Sequence, residues 1–140
     1  MSTRSSLDNW LDKLLEGDFL ADYSDEEKVI ECLDSRDSEP FDSEWVRVSE
    51  VIARSSTYAS GTKALRAKQA KYRKLFFEKV VQTTGSADLA GYVSDDMEMI
   101  VGAVALSIES EFVWSLVNGY SRGVVPDNRM ARMSHFPLLS

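Results

Sequence analysis

The chain has 140 residues, of which 44% are hydrophobic and 28% charged, and its net charge is −7. That size and balance suit one ordinary globular domain able to bury a core, and they exclude a disordered acidic tail. Net acidity disfavours nucleic acid and anionic lipid as partners. A single cysteine, Cys32, and a single histidine, His135, leave no internal disulfide and no Cys/His set for zinc.

The first twenty residues hold several acids and no uninterrupted apolar core, so they do not read as a secretory signal, and a reducing cytoplasm suits the cysteine usage. Leu7, Trp10, Leu11, Leu14 and Leu15 follow Ser6 at spacings of three and four, which predicts an amphipathic helix ending near Gly17. Ser24 with Glu27 three residues later is a capping box, predicting a second helix with Val29, Ile30 and Leu33 turned inward. At about 100° per residue, Glu27, Glu31 and Asp34 then share the opposite side. Residues 35–43, polar around Pro40, predict a loop that adds Asp37, Glu39 and Asp42 to this acidic stripe.

Asp42 or Ser43 can cap a third helix carrying Trp45, Val48, Val51 and Ile52 on one side, ending before Ser55 and a STYASG linker. The fourth and longest predicted helix runs from about Thr62 to Thr84, with Gly85 beyond its end. Leu65, Tyr72, Phe76 and Val80 form its inward stripe, and seven Lys and Arg residues cover the rest. A short helical turn at residues 87–90, ended by Gly91, follows.

Ser94, Asp95, Asp96 and Glu98 read as a helix start, because Ser94 can accept from a free first-turn N–H and the acids complement the positive dipole end. The helix opened there, Ser94 to Ser107, is apolar or small at almost every position from Met97 onward. This predicts a buried central helix, not a surface one. Its apolar run is shorter than the roughly 20 residues a bilayer span needs and is bracketed by Glu98 and Glu109, so no membrane span is expected. After a break at residues 107–109, Phe112, Val113, Leu116, Val117 and Tyr120 define a last helix, closed by Gly123 and Pro126. Trp114 lies off that stripe, at the core edge or on the surface. Residues 127–140 have little periodicity and form a tail that packs loosely or frays. The expected architecture is therefore all-α: a single domain over residues 1–140, a bundle of about six helices around Ser94 to Ser107. Trp10, Leu14, Phe76, Ile100, Val104 and Phe112 are expected in its core.

Chemistry-bearing constellations are few. Asp95 and Asp96 diverge by about 100° on a helix and lack a base, a metal partner or a substrate loop, so helix capping explains them better than catalysis does. A di-metal carboxylate site needs a pair of Glu-x-x-His motifs, and a nucleophilic triad needs a histidine in context; His135 in the tail meets neither requirement. Cys32 reads as a small buried hydrophobe. No enzyme activity, metal or cofactor is expected. The basic helix, Lys63 to Lys79, could follow phosphates, but fifteen acids against six bases precede it, so nucleic acid is the weaker reading. The acidic stripe of Glu27, Glu31, Asp34, Asp37, Glu39 and Asp42 continues beside Phe41 and fits a protein-binding surface; Asp95, Asp96 and Trp114 are further contact candidates.

The block GYVSDDMEMIVGAVALSIESEFVWSLVNGYSRGVVP, with Ser94, Asp95, Asp96, Trp114, Tyr120, Gly123 and Pro126, resembles the C-terminal block of small acidic all-α bacterial immunity proteins that neutralise a cognate secreted toxin. The resemblance covers about the last third of the chain and rests on helix-start and packing residues. It implies a cytoplasmic, non-enzymatic protein that binds one toxin, often a nuclease with a basic cleft. The competing reading is a helical regulatory or adaptor protein acting as a homodimer or scaffold, whose composition would look similar.

Overall fold

In the computed structural model, residues 3–58 and 62–139 are described. They form six α-helices and no strand: α1 (Thr3–Glu16), α2 (Glu26–Arg36), α3 (Phe41–Tyr58), α4 (Thr62–Thr84), α5 (Ala87–Ala105) and α6 (Glu111–Ser121), with 3-10 turns at Ala21–Ser24 and Pro137–Leu139. Residues 59–61 of the expected linker lie outside the described residues, whereas Ser55 and Ser56 are absorbed into α3.

The fold is built on the pairing of α4 with α5, its most extensive helix contact. Gly85, in the left-handed region, and Ser86 turn the chain between them. The pairing is antiparallel: Gln69 donates to the Glu98 carbonyl, while Arg73 reaches Asp95 and Glu98. Tyr72, Phe76 and Val80 on α4 meet an almost continuous buried surface on α5, including Leu89, Val93, Met97 and Ile100. Gly102 lets α5 approach closely, since a Cβ there would lie 3.0 Å from both the Gln69 amide on α4 and Ile52 on α3.

The central helix is longer at its N-terminus than its sequence signature suggested. Ser86 is the true cap, accepting from the Leu89 N–H, so the expected turn at 87–90 is the first turn of α5 and Gly91 lies within the helix. Ser94 is buried one turn further on, its hydroxyl donating to the Gly91 carbonyl. Other boundaries shift for similar reasons. Asp25, not Ser24, caps α2 by accepting from the Glu27 N–H. At the start of α3 the tail supplies the cap: the Phe41 N–H donates to the side-chain oxygen of Asn128, whose amide donates to the carbonyls of Ser35 and Ser38. Asp42 and Ser43 lie inside α3.

Of the expected core residues, Phe76, Ile100 and Phe112 are fully enclosed, and Trp10, Leu14 and Val104 pack partly buried against them. Ile30 departs from expectation. It is 50% exposed, while its neighbours Val29 and Cys32 are buried. The tail is anchored at several points, with Val125, Asp127 and Phe136 buried and the Met133 N–H donating to the Ser115 hydroxyl.

Candidate functional site

Two regions concentrate charge, one inside the fold and one outside. The interior region centres on Asp96, in the middle of α5 and with no exposed surface. Arg36, the last residue of α2, is only 3% exposed and grips it end-on: one guanidinium nitrogen donates to Oδ2 at 2.9 Å and the other to Oδ1 at 2.7 Å. The Trp45 indole on α3 donates to Oδ1 at 2.9 Å, and the Tyr120 hydroxyl on α6 donates to Oδ2 at 2.6 Å. Arg36 also donates to the Pro126 carbonyl, and its guanidinium lies 4.7 Å from the Phe41 ring and 5.3 Å from the Tyr92 ring. One carboxylate thereby ties together α2, α3 and α6, and the tail joins through Arg36.

The electrostatics follow from this enclosure. Burial works against the Arg36 charge, but Asp96 and Tyr120 outweigh it and hold the guanidinium's pKa above its ordinary value. Burial, reinforced by the Asp96 carboxylate, keeps the Tyr120 hydroxyl protonated far beyond the usual tyrosine range. Nearby, burial pushes the Cys32 thiol up to about 12, so it is an inert packing group and not a nucleophile. Such an ion pair is costly to assemble, and its carboxylate is fully occupied by donors from its own fold. It has no open position for a substrate or metal.

The exterior region runs from Asp22 to Asp42. Nine carboxylates lie along it, at Asp22, Asp25, Glu26, Glu27, Glu31, Asp34, Asp37, Glu39 and Asp42, and all nine residues are exposed. Of the two bases in the same stretch, Arg36 is buried and Lys28 alone is exposed, lying over the Tyr23 ring and 4.0 Å from Asp22. Arg129 from the tail approaches Glu31 at 4.0 Å, with both side chains largely in solvent. Asp37 accepts from the Tyr92 hydroxyl, a bond that, ahead of burial, raises that tyrosine's pKa. α2 presents four of these charges and Asp25 caps it; Asp22 lies in the preceding 3-10 turn, Asp37 and Glu39 in the short α2–α3 turn held by Asn128, and Asp42 in the first turn of α3.

A family model described as Immunity protein PIM1 matches residues 7–127, all six helices apart from the start of α1. The chain belongs to this immunity protein family. No curated protein and no solved structure matches it.

Within this immunity protein, the sequence-derived surface residues divide clearly. Glu27, Glu31, Asp34, Asp37, Glu39 and Asp42 are all exposed, along α2, the α2–α3 turn and the first turn of α3. Asp95 is half-exposed and engaged by Arg73 at 2.6 Å, and Trp114 is half-buried on α6. Asp96 must be withdrawn as a surface contact, because it is wholly enclosed and its acceptor oxygens face Arg36, Trp45 and Tyr120. The basic helix is less free than its composition suggests: Arg73 serves Asp95 and Glu98, Lys68 pairs with Asp8, and Lys71 lies over Tyr72. Among the described residues no three His, Cys, Asp or Glu side chains could hold a metal ion, and no helix is long and apolar enough to cross a membrane.

Arg36 was missed because a lone arginine before a polar loop looks like a solvated helix end. A signal was present all the same. Arg36 lies four residues after Cys32 and seven after Val29, on the inward stripe, where an arginine requires a buried partner.

Proposed function

We propose that this immunity protein binds a cognate bacterial toxin in the cytoplasm and blocks it stoichiometrically, without catalysis, through the acidic side of α2 and the α2–α3 turn. The observation that carries this reading is the set of nine exposed carboxylates between Asp22 and Asp42 with one exposed base among them. A solvated helix face has no need of so one-sided a charge, whereas a basic partner is both attracted over distance and held in register by it. A nuclease fits this description best, because a cleft made to receive phosphates is lined with Lys and Arg. A rigid row of carboxylates occupies such a cleft as an unreactive substitute for the nucleic-acid backbone.

The test is to change Glu27, Glu31 and Asp34 together to Lys and to measure association with the purified secreted-toxin domain of the native host that the parent chain is found to protect against, at low and high salt. The expected result is slower association with a shallower salt dependence, since exposed charges act mainly on encounter. Unchanged rates at both salt concentrations would remove the acidic surface from the interface. Direct nucleic-acid binding through α4 is the weaker reading, because three of its seven bases already have partners within the fold.

A further inference from the structure

Ile30 is the one apolar residue of α2 that the packing leaves exposed. It is 50% exposed in the middle of the helix, although burial of its side chain beside Val29 would have been favourable. Its surroundings are specific. On a helix the residues three and four positions away are the spatial neighbours, and for Ile30 these are Glu26, Glu27, Leu33 and Asp34, with Glu31 adjacent in the chain. The carboxylates of Glu26, Glu27 and Asp34 form no ion pair among the described residues, and Lys28 is turned toward Tyr23 and Asp22. Ile30 also borders an open groove of about 550 Å³ between α2 and the corner where α4 meets α5. Its walls are mixed: Val29, Leu33 and Ala87 contribute apolar surface beside Ile30, residues 84–86 add polar groups, and its charged lining residues are Glu26 and Asp88.

We propose that Ile30, with the Val29 and Leu33 wall of this groove, is the apolar anchor of the toxin interface, receiving an apolar side chain that the toxin carries between Lys or Arg residues. The inference rests on the toxin-binding reading above and adds the point at which the complex is held. Charge complementarity selects the occupant: a bare apolar partner would strip water from the surrounding carboxylates without replacing it, whereas flanking cations pair with them. The arrangement has the layout of an interface hot spot, a small apolar centre sheltered by a polar rim. It also divides the work. The rim speeds arrival, and the Ile30 contact slows departure.

That division makes the experiment decisive. Ile30→Ala and Ile30→Asp would be compared with the Glu27/Glu31/Asp34 triple Lys variant and with Phe77→Ala, which removes another exposed apolar side chain, from the basic helix α4. The probe is the same purified toxin domain, with both rate constants measured at two salt concentrations. Ile30→Ala is expected to raise the dissociation rate about tenfold or more, with association rate, salt dependence and melting temperature preserved. Ile30→Asp should lose more. If Ile30→Ala dissociates like the parent while the triple variant associates slowly, the anchor is wrong and the acidic surface stands. If Phe77→Ala is the variant that dissociates faster, the interface belongs to α4 and the proposal falls. A parent chain that does not bind the toxin domain overturns both readings together.

Discussion

The Asp96 cluster and the α2 surface are both rich in charge, yet they use it in opposite ways. Asp96 has its acceptor oxygens filled by Arg36, Trp45 and Tyr120, and nothing of it is left for a partner. Glu27, Glu31 and Asp34 are exposed and nearly without partners inside the protein. Arg36 shows the division on a single helix, for it belongs to α2 but turns inward to Asp96 while the acids of α2 turn outward. Charge enclosed by the fold specifies its geometry; charge left outside is available for recognition. Stability and binding are therefore expected to respond to different substitutions.

The largest expected effect lies in the interior. Asp96→Ala leaves the Arg36 guanidinium buried without its counter-charge, and should cost about 3–5 kcal/mol in urea unfolding. A change below about 1 kcal/mol would mean that the cluster does not hold the helices together.

Gly119→Ala should come next. A Cβ at that position would lie 2.9 Å from Cγ of Pro126, a rigid ring, in the segment whose carbonyl accepts from Arg36. Relief of the clash should cost about 1–3 kcal/mol and weaken the attachment of the tail to the cluster. A melting temperature equal to the parent's would show that this segment adjusts freely.

Alkaline pH tests the same interior without mutation. Cys32 and Tyr120 hold their protons in the folded chain beyond the ordinary values of 9.0 and 10.0. Above those values the unfolded chain releases protons that the folded chain keeps, so the folded state binds more protons and stability falls as pH rises. The contribution is fully present below about pH 8. It should decline from about pH 9 upward by up to about 1.4 kcal/mol per pH unit for each proton retained. Unfolding midpoints from pH 7 to 11 would read it, and Cys32→Ala should make the slope shallower between pH 9 and 10.

The smallest effect on stability is expected at the surface, where the Glu27/Glu31/Asp34 triple Lys variant should stay within about 1 kcal/mol of the parent. A larger loss would show that these acids support the fold after all, and would blur the contrast with Asp96.

Much of the architecture was legible because it depends on local periodicity. The 3.6-residue repeat located α4 from Thr62 to Thr84 and the inward stripe of α6; Glu27, Glu31 and Asp34 are exposed as their spacing predicted, but Ile30, expected on the opposite side, is exposed with them. The start of α5 was less legible. Ser94, Asp95 and Asp96 imitate an N-terminal signature, while the apolar series Leu89, Val93, Met97 and Ile100 already runs through them at helical spacing. Given that series, Ser86 with Asp88 is the better N-terminus.

What the chain order determined by itself is therefore the set of helices, their apolar stripes and the acidity of α2, since each depends on residues within a turn or two of one another. Tertiary structure decided which face of each helix would be covered. Asp95 and Asp96 are adjacent and chemically identical, but about 100° apart on α5. One turns to Arg73 at the surface, and the other meets Arg36, Trp45 and Tyr120, which lie 60, 51 and 24 residues away. Ile30 escapes burial for the same kind of reason: a helical stripe states which residues can share a core, and only the tertiary packing of α2, which leaves an open groove toward the α4–α5 corner, sets how wide that stripe is.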